Sequence, residues 1–262
     1  MQRLLDLMAR LRDPEDGCPW DLAQSFKTIL PHTIEEAYEV ADAIERGEMS
    51  ELCAELGDLL FQVVFYAQLA KEIDAFDFDD VARGITEKMI RRHPHVFAEA
   101  RVAGVDEQSE AWERHKAEER RSHSGGGRQS QLDGVALGLP ALVRAEKLQK
   151  RAAKVGFDWR SADGPLAKIR EESAELEALL AQDPTPEKLS DELGDLLFSC
   201  VNLARHLGVD AESALRHANS KFERRFRALE TAADDHGTSL SALSEARLDR
   251  LWEQVKREVD VR

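Results

Sequence analysis

Four carboxylates in the second half of the chain have the types and spacing for metal chemistry. Glu172 and Glu175 stand three residues apart in "KIREESAEL" (168–176), and Glu192 and Asp195 stand three apart in "ELGDLLF" (192–198). On a helix, residues three apart are surface neighbours, with Cβ atoms roughly 5–6 Å apart. Two such helices folded back on each other through the short "AQDPTP" connection would aim all four acids into one space. Unneutralised, that cluster repels itself. A hard divalent cation resolves the conflict, because Mg²⁺ takes carboxylate oxygens, water and commonly a substrate phosphate.

Cations near these acids suggest what the metal would serve. Lys168 precedes Glu172 by one turn, and Lys221, Arg224 and Arg225 follow Asn219 on a later predicted helix. Lys and Arg around a carboxylate-held cation form a phosphate-binding arrangement. The plainer alternative is that bases in "KFERRFRALE" pair with acids on their own helix. Trp252 could stack on a base or sit in a core. The chain contains neither G-x-x-x-x-G-K-[ST] nor G-x-G-x-x-G, so a nucleotide would not rest in a P-loop or Rossmann cradle. His93 and His95 flank Pro94 without an acidic partner at ligand spacing, and are read as structural or phosphate-facing.

The elements that must position these residues occur twice. "ELGDLLF" also spans residues 55–61, a shift of 137. "TIEEAYEV" (33–40) pairs with "KIREESAEL" at a shift of 136, placing Glu36 on Glu172 and Glu39 on Glu175. "EKMIRR" (87–92) pairs with "SKFERR" (220–225) at 133, and "WERHK" (112–116) with "WEQVK" (252–256) at 140. Four blocks in one order indicate a duplicated domain. The polar, glycine-rich stretch 120–134 reads as a flexible linker between a first copy, 1–119, and a second, 135–262.

Each copy reads as a run of helices, giving an all-α fold of tandem helical bundles. Leu193, Leu196, Leu197, Cys200, Leu203 and Leu207 follow helical steps and predict a buried stripe. Thr185 is expected to cap that helix, with Pro186 in its first turn. In the first copy Gly47 is the expected stop and Ser50 the expected cap. Gly194, between the acids, is expected to allow close approach of a neighbouring helix.

Composition supports this class. Aromatics make up 6%, charged residues 33%, and the formal net charge is -15. Such a surface repels nucleic-acid backbone and anionic membrane, so neither is an expected partner. Three cysteines without C-x-x-C spacing fit reduced thiols in a cytoplasmic protein. The apolar run "LLFQVVFYAQLA" is shorter than the roughly 20 residues that span a bilayer.

Together, E-E-x-x-E, E-x-x-D, the downstream "NSKFERRF" and the N-terminal "GCPWD" (17–21) resemble the MazG family of nucleoside triphosphate pyrophosphohydrolases, in its two-copy form. The resemblance implies an all-α homodimer that needs Mg²⁺ or Mn²⁺. It also implies cleavage of nucleoside triphosphates between the α and β phosphates, to a monophosphate and pyrophosphate. It assigns Glu172, Glu175, Glu192 and Asp195 to metal, Lys168, Lys221 and Arg225 to the triphosphate, and Trp252 to the nucleotide. Lys188 and Arg224 join the candidate phosphate contacts.

The first copy keeps its four acids, Glu36, Glu39, Glu55 and Asp58, as a second candidate metal site. Lys88, Arg92 and Trp112 are retained there, but His32, Thr86 and Glu51 replace Lys168, Asn219 and Lys188. Lost positive charge weakens triphosphate binding, so the second copy is expected to carry most of the activity. Two rivals follow: an enzyme selective for one nucleotide (dUTP, dCTP or phosphoribosyl-ATP) and a helical regulatory protein with structural cations.

Overall fold

A computed structural model describes residues 1–98 and 130–259; Trp112 and most of the expected linker lie outside the described residues. The chain divides into two compact units, Met1–His123 and Ser124–Arg262. Among the described residues every regular element is helical.

In the first unit, α1 (Gln2–Leu11) and the short α2 (Pro19–Leu22) precede the long α3 (Phe26–Arg46) and α4 (Met49–Glu72). α5 (Phe78–Arg92) and α6 (Pro94–Phe97) follow. α3 starts at a capping box in which Ser25 and Thr28 satisfy each other's backbone N–H groups. It stops at Gly47, whose φ of 73° is the left-handed conformation that glycine adopts freely. The expected Ser50 cap is displaced: α4 begins at Met49 with Glu48 in the capping position, because the Gly47 turn is short enough to start the next helix early. α4 packs against α1, α3 and α5. Met8, Ile29, Val64, Phe65 and Leu69 form the core, flanked by Leu4, Leu5, Phe61, Tyr66 and Phe78. The Thr33 hydroxyl donates to the Tyr66 hydroxyl at 2.9 Å, tying α3 to α4.

By length and composition α4 could cross a bilayer, the helix being longer than the apolar run within it. Its second half is nevertheless buried among the helices of this unit, and its first half carries Glu55 and Asp58.

The second unit consists of α7 (Ala141–Ala153), α8 (Asp163–Leu180), α9 (Pro186–His206), α10 (Ala211–Asp235), a 3₁₀ turn at Leu240–Ala242 and α11 (Glu245–Val259). α8 packs on α9, α7 braces α9 and α10, and α11 packs on α10. The Gln149 side-chain amide donates to the Phe198 carbonyl at 2.8 Å, locking α7 to α9. Thr185 does occupy the capping position of α9 and Pro186 its first turn, but the Thr185 side chain bonds no backbone N–H there.

Two expectations about α9 fail. The leucine stripe is not buried: Leu193 is 48% and Leu197 51% exposed, with Cys200 and Leu207 also exposed, while Ser199 and Val201 are the buried residues. Periodicity marks an apolar face but not what covers it, and within this unit α7 and α8 leave much of that face open. Nor does Gly194 admit a close neighbour, since a Cβ there, or at Gly57, would meet nothing within 4 Å.

Candidate metal centre on two helical hairpins

The α8–α9 hairpin brings together three of the four acids that the spacing was expected to gather. Glu172, Glu175 and Glu192 each offer a carboxylate oxygen such that all three lie within 4.8 Å of one another. Asp195 stands outside that mutual set, yet its charge reaches Glu192. Glu172 is only 3% exposed. The Glu192 carboxyl is pushed above the usual carboxylate range, first by burial, then by Glu175, Glu172 and Asp195. Crowded hard-oxygen donors with excess negative charge are the donor set that Mg²⁺ or Mn²⁺ accepts.

Lys168 is drawn into the cluster. Its ammonium lies 2.5 Å from Glu172 Oε1 and 2.9 Å from Glu171 Oε1. These two acids hold the Lys168 pKa above its ordinary value, Glu172 the more strongly. The other predicted cations sit elsewhere. Lys188 lies exposed in the first turn of α9, and Lys221, Arg224 and Arg225 lie on α10. Lys188, Lys221 and Arg224 make no ion pair with the four acids among the described residues. Trp252, on α11, is half-buried with its ring 5.8 Å from Phe222, so it contributes to the α10–α11 packing.

The first unit repeats the hairpin with α3 and α4. Glu36, Glu39 and Glu55 likewise bring oxygens within 4.8 Å of one another, and Asp58 again falls outside the set. Burial, then Asp58 and Glu39, push the Glu36 carboxyl up; burial, then Glu39 and Asp58, do the same to Glu55. His32, in place of Lys168, reaches Glu35 at 3.6 Å. Glu51, in place of Lys188, is bonded by Arg46, which also binds Asp42 at 2.8 Å and Glu48 at 3.3 Å. His93 Nδ1–H donates to the Met89 carbonyl, 2.7 Å away, and the ring lies 5.6 Å from the His95 ring, a local helix-end arrangement.

Sequence reasoning missed the ties that fix the loops before each hairpin. In the second unit Asp158 accepts from Arg205 Nη1 at 2.9 Å, from Arg205 Nη2, and from the Trp159 backbone N–H at 2.9 Å, with His206 Nε2 at 3.0 Å. The Asp158 carboxyl falls to about 2, chiefly through Arg205. In the first unit Arg12 donates to both Glu72 oxygens, at 2.8 and 2.6 Å, and to the Asp21 carbonyl. Both ties join residues 47 or more positions apart or cross a turn, which no helical period reports.

A duplicated helical hairpin with clustered carboxylates defines a class, and comparison with known proteins agrees with it. Residues 24–97 and 161–229 each match the MazG nucleotide pyrophosphohydrolase domain, and the chain belongs to the MazG family. It is 49% identical to an Escherichia coli K12 protein named nucleoside triphosphate pyrophosphohydrolase, over all of this chain and 99% of that one. It is 43% identical to the Thermotoga maritima nucleoside triphosphate pyrophosphohydrolase/pyrophosphatase MazG, over 97% of this chain and 95% of that one. A solved MazG-related protein from Thermotoga maritima is 29% identical over 45% of this chain and 99% of its own, with a TM-score of 0.38.

Proposed function

We propose that the second unit hydrolyses nucleoside triphosphates at the α–β phosphate bond, releasing a monophosphate and pyrophosphate, with Mg²⁺ or Mn²⁺ held by Glu172, Glu175, Glu192 and Asp195. Family membership and full-length relatives of that name make the chain an enzyme, a nucleoside triphosphate pyrophosphohydrolase. The observation that carries the finer reading is the gathering of Glu172, Glu175 and Glu192 within 4.8 Å beside the Lys168 ammonium.

A bound divalent cation would neutralise phosphate oxygens and lower the pKa of a coordinated water for in-line attack on phosphorus. The chain's residues do the rest. Glu172, buried and bonded to Lys168, fixes one oxygen in the space between α8 and α9. Glu172 would help hold the cation, and the Lys168 ammonium beside it would contact a phosphate oxygen. Lys188, Lys221, Arg224 and Arg225 are further triphosphate contacts and Trp252 a nucleotide contact in this reading. A carboxylate of the cluster accepts the water's proton. Removal of non-standard nucleotides from a cytoplasmic pool is the role that fits this chemistry.

Assembly as a homodimer is part of the proposal. Leu193 and Leu197 on α9, and Leu215, Phe222 and Phe226 on α10, are exposed apolar side chains that a second copy would cover. Light scattering at working concentration reads that state.

The activity is tested by following pyrophosphate and monophosphate from a panel of triphosphates with Mg²⁺, with and without chelator. Turnover that chelation abolishes and Mg²⁺ restores supports the reading. Turnover of one nucleotide alone favours a base-selective enzyme, and no turnover of any triphosphate favours a regulatory protein.

A further inference from the structure

We propose that Trp159 is a platform on which the nucleobase of the triphosphate stacks, a nucleotide contact in addition to Trp252; this rests on the reading of the α8–α9 hairpin as the catalytic site. Trp159 lies in the loop between α7 and α8 and is 49% exposed. Its indole lies on Gly164 at the start of α8, where a Cβ would stand 2.5 Å from two ring carbons. Only glycine admits the ring there, so the loop and helix are matched to hold an aromatic surface at this place.

That place is in line with the acids. Gly164, Lys168, Glu172 and Glu175 follow at steps of four, four and three residues on one face of α8. With a rise of about 1.5 Å per residue, Gly164 stands about 12 Å along the helix from Glu172. Along one face the order is therefore aromatic ring, ammonium, carboxylates. A metal-bound triphosphate lying on that face presents base, phosphates and cation in the same order.

The ring is also held relative to both acid-bearing helices. Gly164 fixes it on α8, and the neighbouring Asp158 fixes the loop to α9 through Arg205 and His206. Arg205 is braced in turn by the Asn202 side chain at 2.8 Å. A base stacking here would pay little ordering cost in the protein.

The first unit also sets a tryptophan against its acid helix, one turn nearer the acids. Trp20 is 54% exposed and meets His32 edge-on at 6.1 Å, one turn before Glu36. Its loop is pinned to α4 by Arg12, which grips the Asp21 carbonyl and Glu72. The charges are exchanged, acid on the loop in one unit and base before it in the other, yet each unit leaves a tryptophan half-exposed against its acid helix, beside Gly164 in one and His32 in the other. Since every base has a π-face, stacking on Trp159 discriminates weakly between bases. The enzyme should therefore accept several bases.

Calorimetric titration with Mg²⁺ and either an α,β-methylene nucleoside triphosphate or inorganic tripolyphosphate separates the base from the phosphates. Trp159→Ala is expected to weaken the nucleoside ligand by about tenfold and leave tripolyphosphate unchanged. Trp159→Phe should restore most of the loss, and Trp159→Leu, which keeps the packing, should not. Equal weakening of both ligands, or no weakening of either, overturns the proposal. Wild-type protein that binds tripolyphosphate as tightly as the nucleoside ligand also overturns it, while leaving the phosphate site standing. Wild-type protein that binds neither contradicts the reading of the catalytic site itself.

Discussion

In the second hairpin the Lys168 ammonium rests on Glu172 at 2.5 Å; in the first, His32 stands in its place and reaches Glu35 at 3.6 Å instead. Both hairpins bring three carboxylates within 4.8 Å. The consequence shows in the acids. In the first unit Glu36 and Glu55 both carry raised carboxyl pKa values, while in the second the first-helix acid is bonded to a cation and Glu192 is the acid pushed up. The basic position at the start of the second helix differs as well. Lys188 is left exposed to meet a ligand, whereas Glu51 is consumed by Arg46 in closing the α3–α4 turn. At these two positions one copy has cations, Lys168 paired within the acid cluster and Lys188 exposed, and the other has His32 and Glu51, each paired with a neighbour of its own unit. Since both copies gather their carboxylates alike, the proposed division of labour between them rests on the charges beside those carboxylates.

The largest effect that sharpens this contrast is on the structural side of the first unit. Arg12→Met should lower the stability of that unit by about 2 kcal/mol, because it removes a buried guanidinium's charge-assisted hydrogen bonds to Glu72, which is itself partly exposed and keeps its bond from Gln68. Arg12 holds the Glu72 carboxyl below its usual range. The pair therefore contributes fully above the ordinary glutamate pKa, and the contribution is lost as pH falls through the depressed folded value. Thermal unfolding of wild type and variant should differ clearly at neutral pH and converge in acid. A gap that persists in acid would show that lost packing, not the charge pair, is responsible.

A smaller effect tests the cation. Lys168→His, which writes the first copy's residue into the second, should raise KM for triphosphate by about tenfold, as expected for loss of one charge-assisted hydrogen bond. Unchanged steady-state kinetics would remove Lys168 from the account of why the copies differ. The smallest effect belongs to Glu51→Lys. The Arg46–Glu51 contact is exposed, so the thermal unfolding transition should barely move. A larger loss would show that the turn, rather than the core, holds the first hairpin together.

Much of the site could be read from the chain because its information is local. Glu172 with Glu175, and Glu192 with Asp195, needed only a helical period, and the repeat showed that two hairpins were built alike. Gly47 and Pro186 marked helix ends because their backbone constraints act at a single position. What failed depends on neighbours in space. The Leu193–Leu197 face is apolar in any helix, but its exposure is set by what lies opposite. The open space over Gly194 is likewise a property of α9's surroundings and not of the residue. Trp159 on Gly164 and Asp158 on Arg205 were invisible for the same reason, since neither contact follows from a period or a motif.

The central claim is that the α8–α9 cluster performs the hydrolysis and the α3–α4 cluster does not. Pyrophosphate release by Glu172→Gln and Glu36→Gln, each made alone in the full chain and assayed with Mg²⁺, measures it directly. The account predicts a loss of at least about a hundredfold for Glu172→Gln, as for a disrupted metal site, and activity within about twofold of wild type for Glu36→Gln. An active Glu172→Gln protein beside an inactive Glu36→Gln protein would contradict it.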